Sequence, residues 1–193
     1  MKKTKPKKSK EKSLGFHLGN LFIAVSILLF FLIFYPVVQA YSFPPQIQAQ
    51  SELKGNYITV PKIHAQAPLF FNVDPFNESI YRPILKKGVA QAKGTSLPGQ
   101  KGTVFIFAHS SGSTLEETNY NTIFLRLGEL KNGDNILIKK DGKVYEYRVY
   151  DKKLVWPTET KYLKEKKNQL ILQTCWPIGT SLKRLLVFAN PVQ

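Results

Sequence analysis

The sequence of 193 residues is short of several residue types on which common kinds of protein depend. It has one cysteine, Cys175, so no disulfide framework can form within the chain. Of its three histidines only His64 and His109 lie outside the N-terminal apolar region, and they provide no closely spaced ligand set, so we predict no metal site. Acidic residues number 13 against 28 basic ones. No base-reading motif accompanies this positive charge, so we predict no nucleic-acid partner.

Charged side chains are also absent between Lys12 and Glu52, and most of this gap is apolar. At about 1.5 Å per residue, a helix over 18–40 covers the roughly 30 Å of hydrocarbon in a bilayer. Seven lysines precede it within residues 1–17, and dense lysine beside a membrane span stays on the cytoplasmic side. We therefore predict a single-pass protein of the cell membrane, with a basic cytoplasmic tail over 1–17, a transmembrane helix over 18–40 and the remaining chain outside the cytoplasm.

A cleaved signal peptide is the alternative interpretation of this apolar segment. Val38-Gln39-Ala40 resembles a small-residue cleavage site, but the apolar stretch exceeds the about 7 to 15 residues usual for such a region. Retention as an anchor is therefore favoured. Beyond the tail 21 basic and 12 acidic residues remain, a balance that suits anionic lipid headgroups or wall polymers. The lysines within 161–167 are interpreted as a solvated face.

The exported part divides into a linker over 41–56, rich in proline and glutamine, and a domain over 57–193. Turn residues separate seven short apolar or alternating runs within the domain, which cover residues 57–60, 103–108, 135–139, 143–150, 153–156, 169–174 and 184–189. Short strands at this spacing predict an all-β domain, either a barrel or a sandwich. Helix is sparse: Asn77 is a candidate cap for a turn that runs through Lys87, and residues 115–127 are a second candidate.

Three reactive side chains stand at the ends of predicted strands. Cys175 ends one strand, and Arg184 begins the next after an eight-residue connection. If these strands pair as a hairpin, their facing ends lie about 5 Å apart, so the arginine reaches the space in front of the sulfur. His109 follows the apolar run 104–108 where a strand gives way to a loop, a common position for catalytic groups. A neighbouring imidazole or guanidinium activates a thiol, so the set predicts nucleophilic cysteine chemistry.

Other interpretations of these residues stay open at this point. A lone cysteine in a strand is usually a small buried hydrophobe, although Cys175 lies just before a Trp-Pro turn rather than in mid-strand. His64 competes with His109, and Arg82 is undecided. A serine hydrolase is disfavoured, because the serines that follow His109 lack a glycine-flanked nucleophile elbow.

The residues around Cys175 resemble the sortase family, membrane-anchored cysteine transpeptidases of the bacterial surface. The family motif is Thr-Leu-x-Thr-Cys followed by an arginine, and the segment 172–175 with Arg184 nine residues later is similar to it, with Ile171 replacing the first threonine. His109 follows an apolar strand, as the family's histidine does, although Ala108 stands where many members have glycine or asparagine.

Further segments extend this resemblance over most of the exported chain, from about Tyr57 to Pro191. Residues 87–99 resemble the segment that precedes the family's histidine, and residues 127–134 resemble the one before the next barrel strand. Asp74-Pro75-Phe76 is similar to the lid tripeptide of pilin-polymerising sortases. Because it falls after the first apparent strand, we do not assign it as a lid.

The resemblance implies a closed, eight-stranded sortase-type β-barrel with short helices. It implies that Cys175 attacks a Leu-Pro-x-Thr-Gly-like sorting signal of exported surface proteins, that His109 protonates the leaving amine and that Arg184 stabilises the oxyanion or holds the substrate. An amine from wall peptide or a pilin lysine then releases the thioester, without a cofactor. Such an enzyme is of the cysteine peptidase type. A surface cysteine endopeptidase that uses water as acceptor, and a non-catalytic membrane-tethered binding barrel, are the alternatives.

Overall fold

The computed structural model describes residues 11–43, 45–110 and 120–192, and the chain divides into two compact units. The first unit ends at Ser42 and the second begins at Phe43. Residues 1–10 of the predicted tail and residues 115–119 of the second candidate helix lie outside the described residues.

The first unit contains one long helix, α1 (Glu11–Ser42), which includes the predicted span 18–40. Within it, Gly15–Leu32 is long and apolar enough to cross a membrane. The described side chains of this segment are exposed rather than packed into a protein core. A helix with apolar side chains on all sides needs an apolar surrounding, so α1 fits a membrane anchor.

The second unit is built from eight strands. They are β1 (Tyr57–Val60), β2 (Ala65–Val73), β3 (Val89–Ala92), β4 (Thr103–Phe107), β5 (Asn135–Lys140), β6 (Lys143–Val155), β7 (Gln169–Trp176) and β8 (Lys183–Pro191). They close into a barrel in the order β1-β2-β3-β4-β7-β8-β6-β5. The pairs β2–β3 and β4–β7 are parallel and the other neighbours are antiparallel. Closure gives every strand two partners, and the predicted fold class is confirmed.

The strand predictions differ from the structure in two places. β2 and β3 were not predicted, because Pro68 interrupts the pattern of β2 and β3 has only four residues. The runs 143–150 and 153–156, predicted as two strands, form the single strand β6.

A bulge in β6 explains this break and decides which side chains face outward. Before the bulge Val149 pairs with Ala189, and both are buried within the barrel; after it Asp151 pairs with Phe188, which packs on the outer face. The extra residue reverses the alternation of inward and outward side chains. Val155, at the end of β6, therefore joins the outer apolar cluster.

Two apolar clusters form the core, one inside the barrel and one on the outer face of β4, β7 and β8. The outer cluster is covered by the helix α2 (Glu78–Leu85) and by a 3-10 turn at Thr160–Leu163. It contains buried side chains from the sheet and its cover, among them Leu85, Phe105, Phe107, Tyr162, Ile171, Leu186 and Phe188. The open end of this outer cluster becomes the groove described below.

Asn77 caps α2 as predicted, since its side chain accepts a hydrogen bond from the Ser79 amide at 3.1 Å. The helix ends at Leu85, earlier than the predicted Lys87. In the second candidate helix the described residues 120–126 form turns that lead into a 3-10 helix at Leu127–Glu129. Asparagine and threonine are weak helix formers, and Gly128 follows them, which explains the shorter turns.

The segment predicted as a linker is tied to the barrel from Gln48 onward. The Lys139 ammonium on β5 donates hydrogen bonds to the carbonyl oxygens of Gln50 at 2.7 Å and Leu53 at 2.6 Å. The Gln66 side chain exchanges two hydrogen bonds with the backbone of Gln48, and the Leu53 side chain is buried. This part of the chain therefore packs as a strap on the barrel; the domain start at residue 57 stays a prediction.

Candidate active site

Cys175 is the last residue but one of β7 and is half-buried. Side chains alternate along a strand, so Cys175 shares a face with Gln173 and Ile171. Ile171 belongs to the outer cluster and Gln173 lines the groove above it. The thiol is therefore directed to the outer surface of the barrel rather than into its interior.

Arg184 lies directly opposite Cys175 in the antiparallel β7–β8 pair, as the hairpin prediction requires. On its other side it pairs with Val155 of β6. The guanidinium Nη1 donates hydrogen bonds to the carbonyl oxygens of Ser181 at 2.9 Å and Lys183 at 3.2 Å. These bonds anchor the cation at the mouth of the β7–β8 connection, and both Cys175 and Arg184 line the same groove.

His109 follows β4 by two residues and is half-buried. The parallel β4–β7 ladder pairs Phe107 with Gln173, and it continues where the Ala108 amide donates to the Gln173 carbonyl at 3.1 Å. Two residues beyond this pair the two chains reach His109 and Cys175. Because neighbouring strands lie about 4.8 Å apart, the structure brings the imidazole and the thiol to adjacent positions at one edge of the groove.

The environment of His109 favours its neutral form. Burial, and to a smaller extent the positive charge of Arg82, lower the pKa of His109 from its ordinary value of 6.5. The imidazole is therefore mainly uncharged near neutral pH. In that form it is able to accept a thiol proton.

One buried hydrogen bond ties the residue before the cysteine to the residue before the histidine. The Thr174 hydroxyl donates to the Ala108 carbonyl oxygen at 3.2 Å, and both residues are buried. Thr174 points into the barrel because it alternates with Cys175. The bond thus fixes, from the interior side of the barrel, the spacing between the chain ends that carry Cys175 and His109.

The groove has a volume of about 210 Å³. Its reactive end carries Cys175, His109 and Arg184, and its other walls are mostly apolar. These walls come from α2, the connection before it, the sheet and the β6–β7 connection, and they include Pro75, Phe76, Tyr81, Leu85, Phe105, Phe107, Val155, Trp156, Glu159, Tyr162, Leu163 and Leu186. A cleft of this composition suits an extended peptide with apolar side chains.

The structure also places the competing residues. His64 is exposed in a left-handed turn after β1 and is not among the groove's lining residues. Arg82 lies on α2, where it forms an exposed 2.9 Å ion pair with Glu78, and its charge reaches His109. Arg148 is exposed on β6. His109 is therefore the described histidine that accompanies Cys175.

Sequence reasoning missed the groove wall formed by α2 and the residues before it. Pro75 and Phe76 line the groove, although the tripeptide 74–76 was not assigned as a lid; the Asp74 carboxylate accepts the Phe76 amide at 2.9 Å and shapes this turn. Tyr81 was also missed. The helical spacing of Tyr81 and Leu85 was the available signal, since residues four apart share a face of a helix.

Within residues 11–43, 45–110 and 120–192 no group of three or more histidine, cysteine, aspartate or glutamate side chains is placed to hold a metal ion.

Comparisons with known proteins agree with this geometry. The family model described as the sortase domain matches residues 58–192. This chain is a member of the sortase family. The sortases are cysteine transpeptidases that sort proteins to the cell wall, and that general activity is the one supported for this chain.

Among its relatives, this sortase is 27% identical to Sortase D of Bacillus subtilis (strain 168) over 156 residues, which cover 78% of this chain and 68% of that protein. It is similar to the structure of Clostridium perfringens sortase C solved with the C-terminal cell wall sorting motif, with a TM-score of 0.58, 30% identity, and coverage of 71% of this chain and 69% of that one. It is also similar to sortase C-1 of Actinomyces oris, with a TM-score of 0.60, 27% identity and 82% coverage of both chains.

Proposed function

We propose that this sortase cleaves a Leu-Pro-x-Thr-Gly-like sorting signal through a thioester on Cys175 and transfers the acyl group to an amine at the cell surface. The observation that carries the proposal is the register of three strands: Arg184 faces Cys175 across β7–β8, and His109 follows β4 beside β7. The structure of a relative with a sorting motif supports this class of substrate.

In the first half-reaction His109 accepts the thiol proton of Cys175. The thiolate attacks the scissile carbonyl carbon, so a carbon–sulfur bond forms and the carbonyl oxygen becomes an oxyanion. The Arg184 guanidinium, held by two backbone carbonyls, stabilises this negative charge. The carbon–nitrogen bond then breaks, and the imidazolium of His109 returns its proton to the leaving amine, which leaves a thioester.

In the second half-reaction an acceptor amine attacks the thioester carbonyl. A carbon–nitrogen bond forms and His109 takes a proton from the attacking nitrogen. The carbon–sulfur bond then breaks, and the imidazolium returns this proton to the sulfur, so that Cys175 is released as the thiol. Water in place of the amine gives hydrolysis by the same steps. The apolar walls limit the access of water to the thioester, which favours the amine as acceptor.

The cellular setting follows from α1. Its apolar composition supports a single membrane crossing, and the lysines before it support a cytoplasmic N-terminus. The barrel then lies outside the cytoplasm, where exported proteins with C-terminal sorting signals and amines of wall peptide or pilin lysines are available.

The test uses the full chain in detergent micelles with a library of sorting-type peptides, with and without an added amine. We expect an intact-mass adduct on Cys175, its loss in Cys175→Ala, and an amide product whose share rises with amine concentration. Arg184→Gln is expected to lower kcat/KM for cleavage, whereas Arg148→Gln, which removes an exposed guanidinium from β6, is the matched control. Only hydrolysed peptide at high amine concentration refutes transpeptidation in favour of the endopeptidase, and cleavage by Cys175→Ala refutes the thioester.

A further inference from the structure

Three exposed apolar side chains occur near the end of β6 and the start of β8. Leu154, Trp156 and Leu182 are 51%, 58% and 64% exposed. In the β6–β8 pair Leu154 faces Leu185, and the next positions bring Trp156 beside Lys183, whose Nζ lies 5.0 Å from the centroid of the indole ring. Trp156 and Lys183 thus form the centre of a patch, and Leu154 and Leu182 lie two residues and one residue from them along the chain.

We call this patch, together with the neighbouring Lys152, the β6–β8 tip; it consists of Lys152, Leu154, Trp156, Leu182 and Lys183. Positions 152–156 and 180–184 together carry three lysines and one arginine and no acidic residue. The two neighbouring carboxylates each have a lysine partner: Asp151 lies 3.6 Å from Lys153, which is one of these three lysines, and Glu159 lies 3.1 Å from Lys161. Glu159 also accepts a hydrogen bond from the Trp156 amide at 3.1 Å. The tip therefore presents tryptophan and leucine side chains within positive charge.

This chemistry matches the surface of an anionic bilayer. Tryptophan is favoured at the headgroup level, where an apolar ring meets polar groups, and lysine keeps its ammonium at that level while its stem contacts apolar surface. A second copy of the tip is disfavoured as the occupant, because two cationic surfaces repel each other. The apolar helix α1 keeps a bilayer at high effective concentration.

We propose that the β6–β8 tip docks into the headgroup region of an anionic membrane. This inference rests on the membrane attachment in the proposed function. Trp156 also lines the groove, so docking holds the mouth of the groove at the lipid surface. The preferred substrates are then peptides whose cleavage site lies close to the membrane.

Tryptophan fluorescence tests the docking in the full chain, because Trp156 and Trp176 are its only tryptophans. Trp176→Phe leaves Trp156 as the reporter, and Trp156→Phe leaves Trp176, which packs against the core. Each variant is reconstituted in vesicles of brominated phosphatidylcholine with and without phosphatidylglycerol. We expect brominated lipid to quench Trp156 more than Trp176, and phosphatidylglycerol to increase the quenching of Trp156.

Substitutions in the tip test its composition while α1 is unchanged. With Trp156 as reporter, Lys183→Gln is expected to lower the ratio of docked to undocked protein about fivefold in anionic vesicles, the value of one lysine near such a surface. The double variant Leu154→Ser and Leu182→Ser is expected to reduce the quenching further. Lys143→Gln with Val144→Ser is the matched control, because it removes one lysine and one exposed apolar side chain at the opposite end of β6. If Trp176→Phe does not fold, the same substitutions are compared in the chain with both tryptophans.

Three results overturn the proposal. If acrylamide still quenches Trp156 in vesicles and brominated lipid does not, the tip is not docked. Protection of Trp156 that appears in micelles and rises with protein concentration assigns the tip to a second copy. Protection only after a sorting-type peptide is added assigns it to the substrate. Peptide cleavage in micelles is measured in parallel, so a failure of docking and a failure of the proposed function are distinguished.

Discussion

The hydrogen bond between Thr174 and Ala108 gives the sharpest test of how the fold positions its reacting groups. Thr174→Val keeps the shape of the side chain and removes the hydroxyl that donates to Ala108 at 3.2 Å. The lost bond and the buried carbonyl that loses its donor are expected to lower the free energy of unfolding by about 1–2 kcal/mol. The Ala108 amide still donates to Gln173, so the barrel is expected to stay folded.

The effect on activity is expected to exceed this loss of stability. Without the bond, the ends of β4 and β7 are free to shift, and a misplacement of reacting groups by about 1 Å costs about 10²-fold in rate. We therefore expect kcat/KM for a fluorogenic sorting-type peptide to fall between about tenfold and about 10²-fold in Thr174→Val. Thr174→Ser, which keeps a hydroxyl, is expected to retain most of the activity.

A matched control lies at the other end of the same strand pair. The Thr103 hydroxyl is also buried and donates to the Lys167 carbonyl at 2.8 Å, but it is remote from Cys175. Thr103→Val is expected to lower stability by a similar amount and to leave kcat/KM near the wild-type value. Wild-type kcat/KM in Thr174→Val, or an equal loss in Thr103→Val, refutes the positioning role.

Three further predictions concern pH, the strap and a tight turn. Folding lowers the pKa of His109, so below the ordinary pKa of about 6.5 the unfolded chain binds more protons than the folded one. The free energy of unfolding should therefore fall as the pH decreases through this range. His109→Asn should reduce this pH dependence in denaturant titrations. Lys139→Met removes two bonds to the strap and should lower the free energy of unfolding by about 2 kcal/mol and speed proteolysis near Leu53. Gly99→Ala places a Cβ 2.5 Å from the Tyr145 ring at a φ of +87°, and should lower the melting temperature through overpacking and backbone strain.

Each of these predictions has a clear contrary outcome. An unchanged pH slope in His109→Asn means that the slope comes from other groups. Equal proteolysis of Lys139→Met and the wild type shows that the strap does not depend on the ammonium. Gly142→Ala is the control for Gly99→Ala, since its φ is +79° but no atom lies within 4 Å of the added Cβ; equal losses in the two variants remove the role of the Tyr145 contact.

The pairing of Cys175 with Arg184 could be predicted from the sequence because it depends on local features, two strands and a short connection. His109 was chosen as the partner of the thiol from its place at a strand end and from the resemblance to sortases. The parallel pairing of β4 with β7 that brings it there joins distant segments and leaves no local pattern in the sequence. The bulge in β6 appeared in the sequence only as a break in alternation, since one extra residue interrupts the period of two. The groove walls formed by α2 and the β6–β7 connection depend on how these segments pack over the outer cluster. The spacing of residues along one strand gives no information about such packing.

The parallel contact of β4 and β7 has a consequence for how such a barrel diversifies. Ala108 and Thr174, joined by one hydrogen bond, are 66 positions apart in the chain. The segment between them contains β5, β6 and the connections that border the groove. It begins and ends at the same hydrogen-bonded junction between β4 and β7. Insertions or deletions in the connections of that segment reshape the groove walls without altering the junction. Recognition of new peptides is then able to arise while the distance between the Cys175 sulfur and the His109 imidazole is preserved.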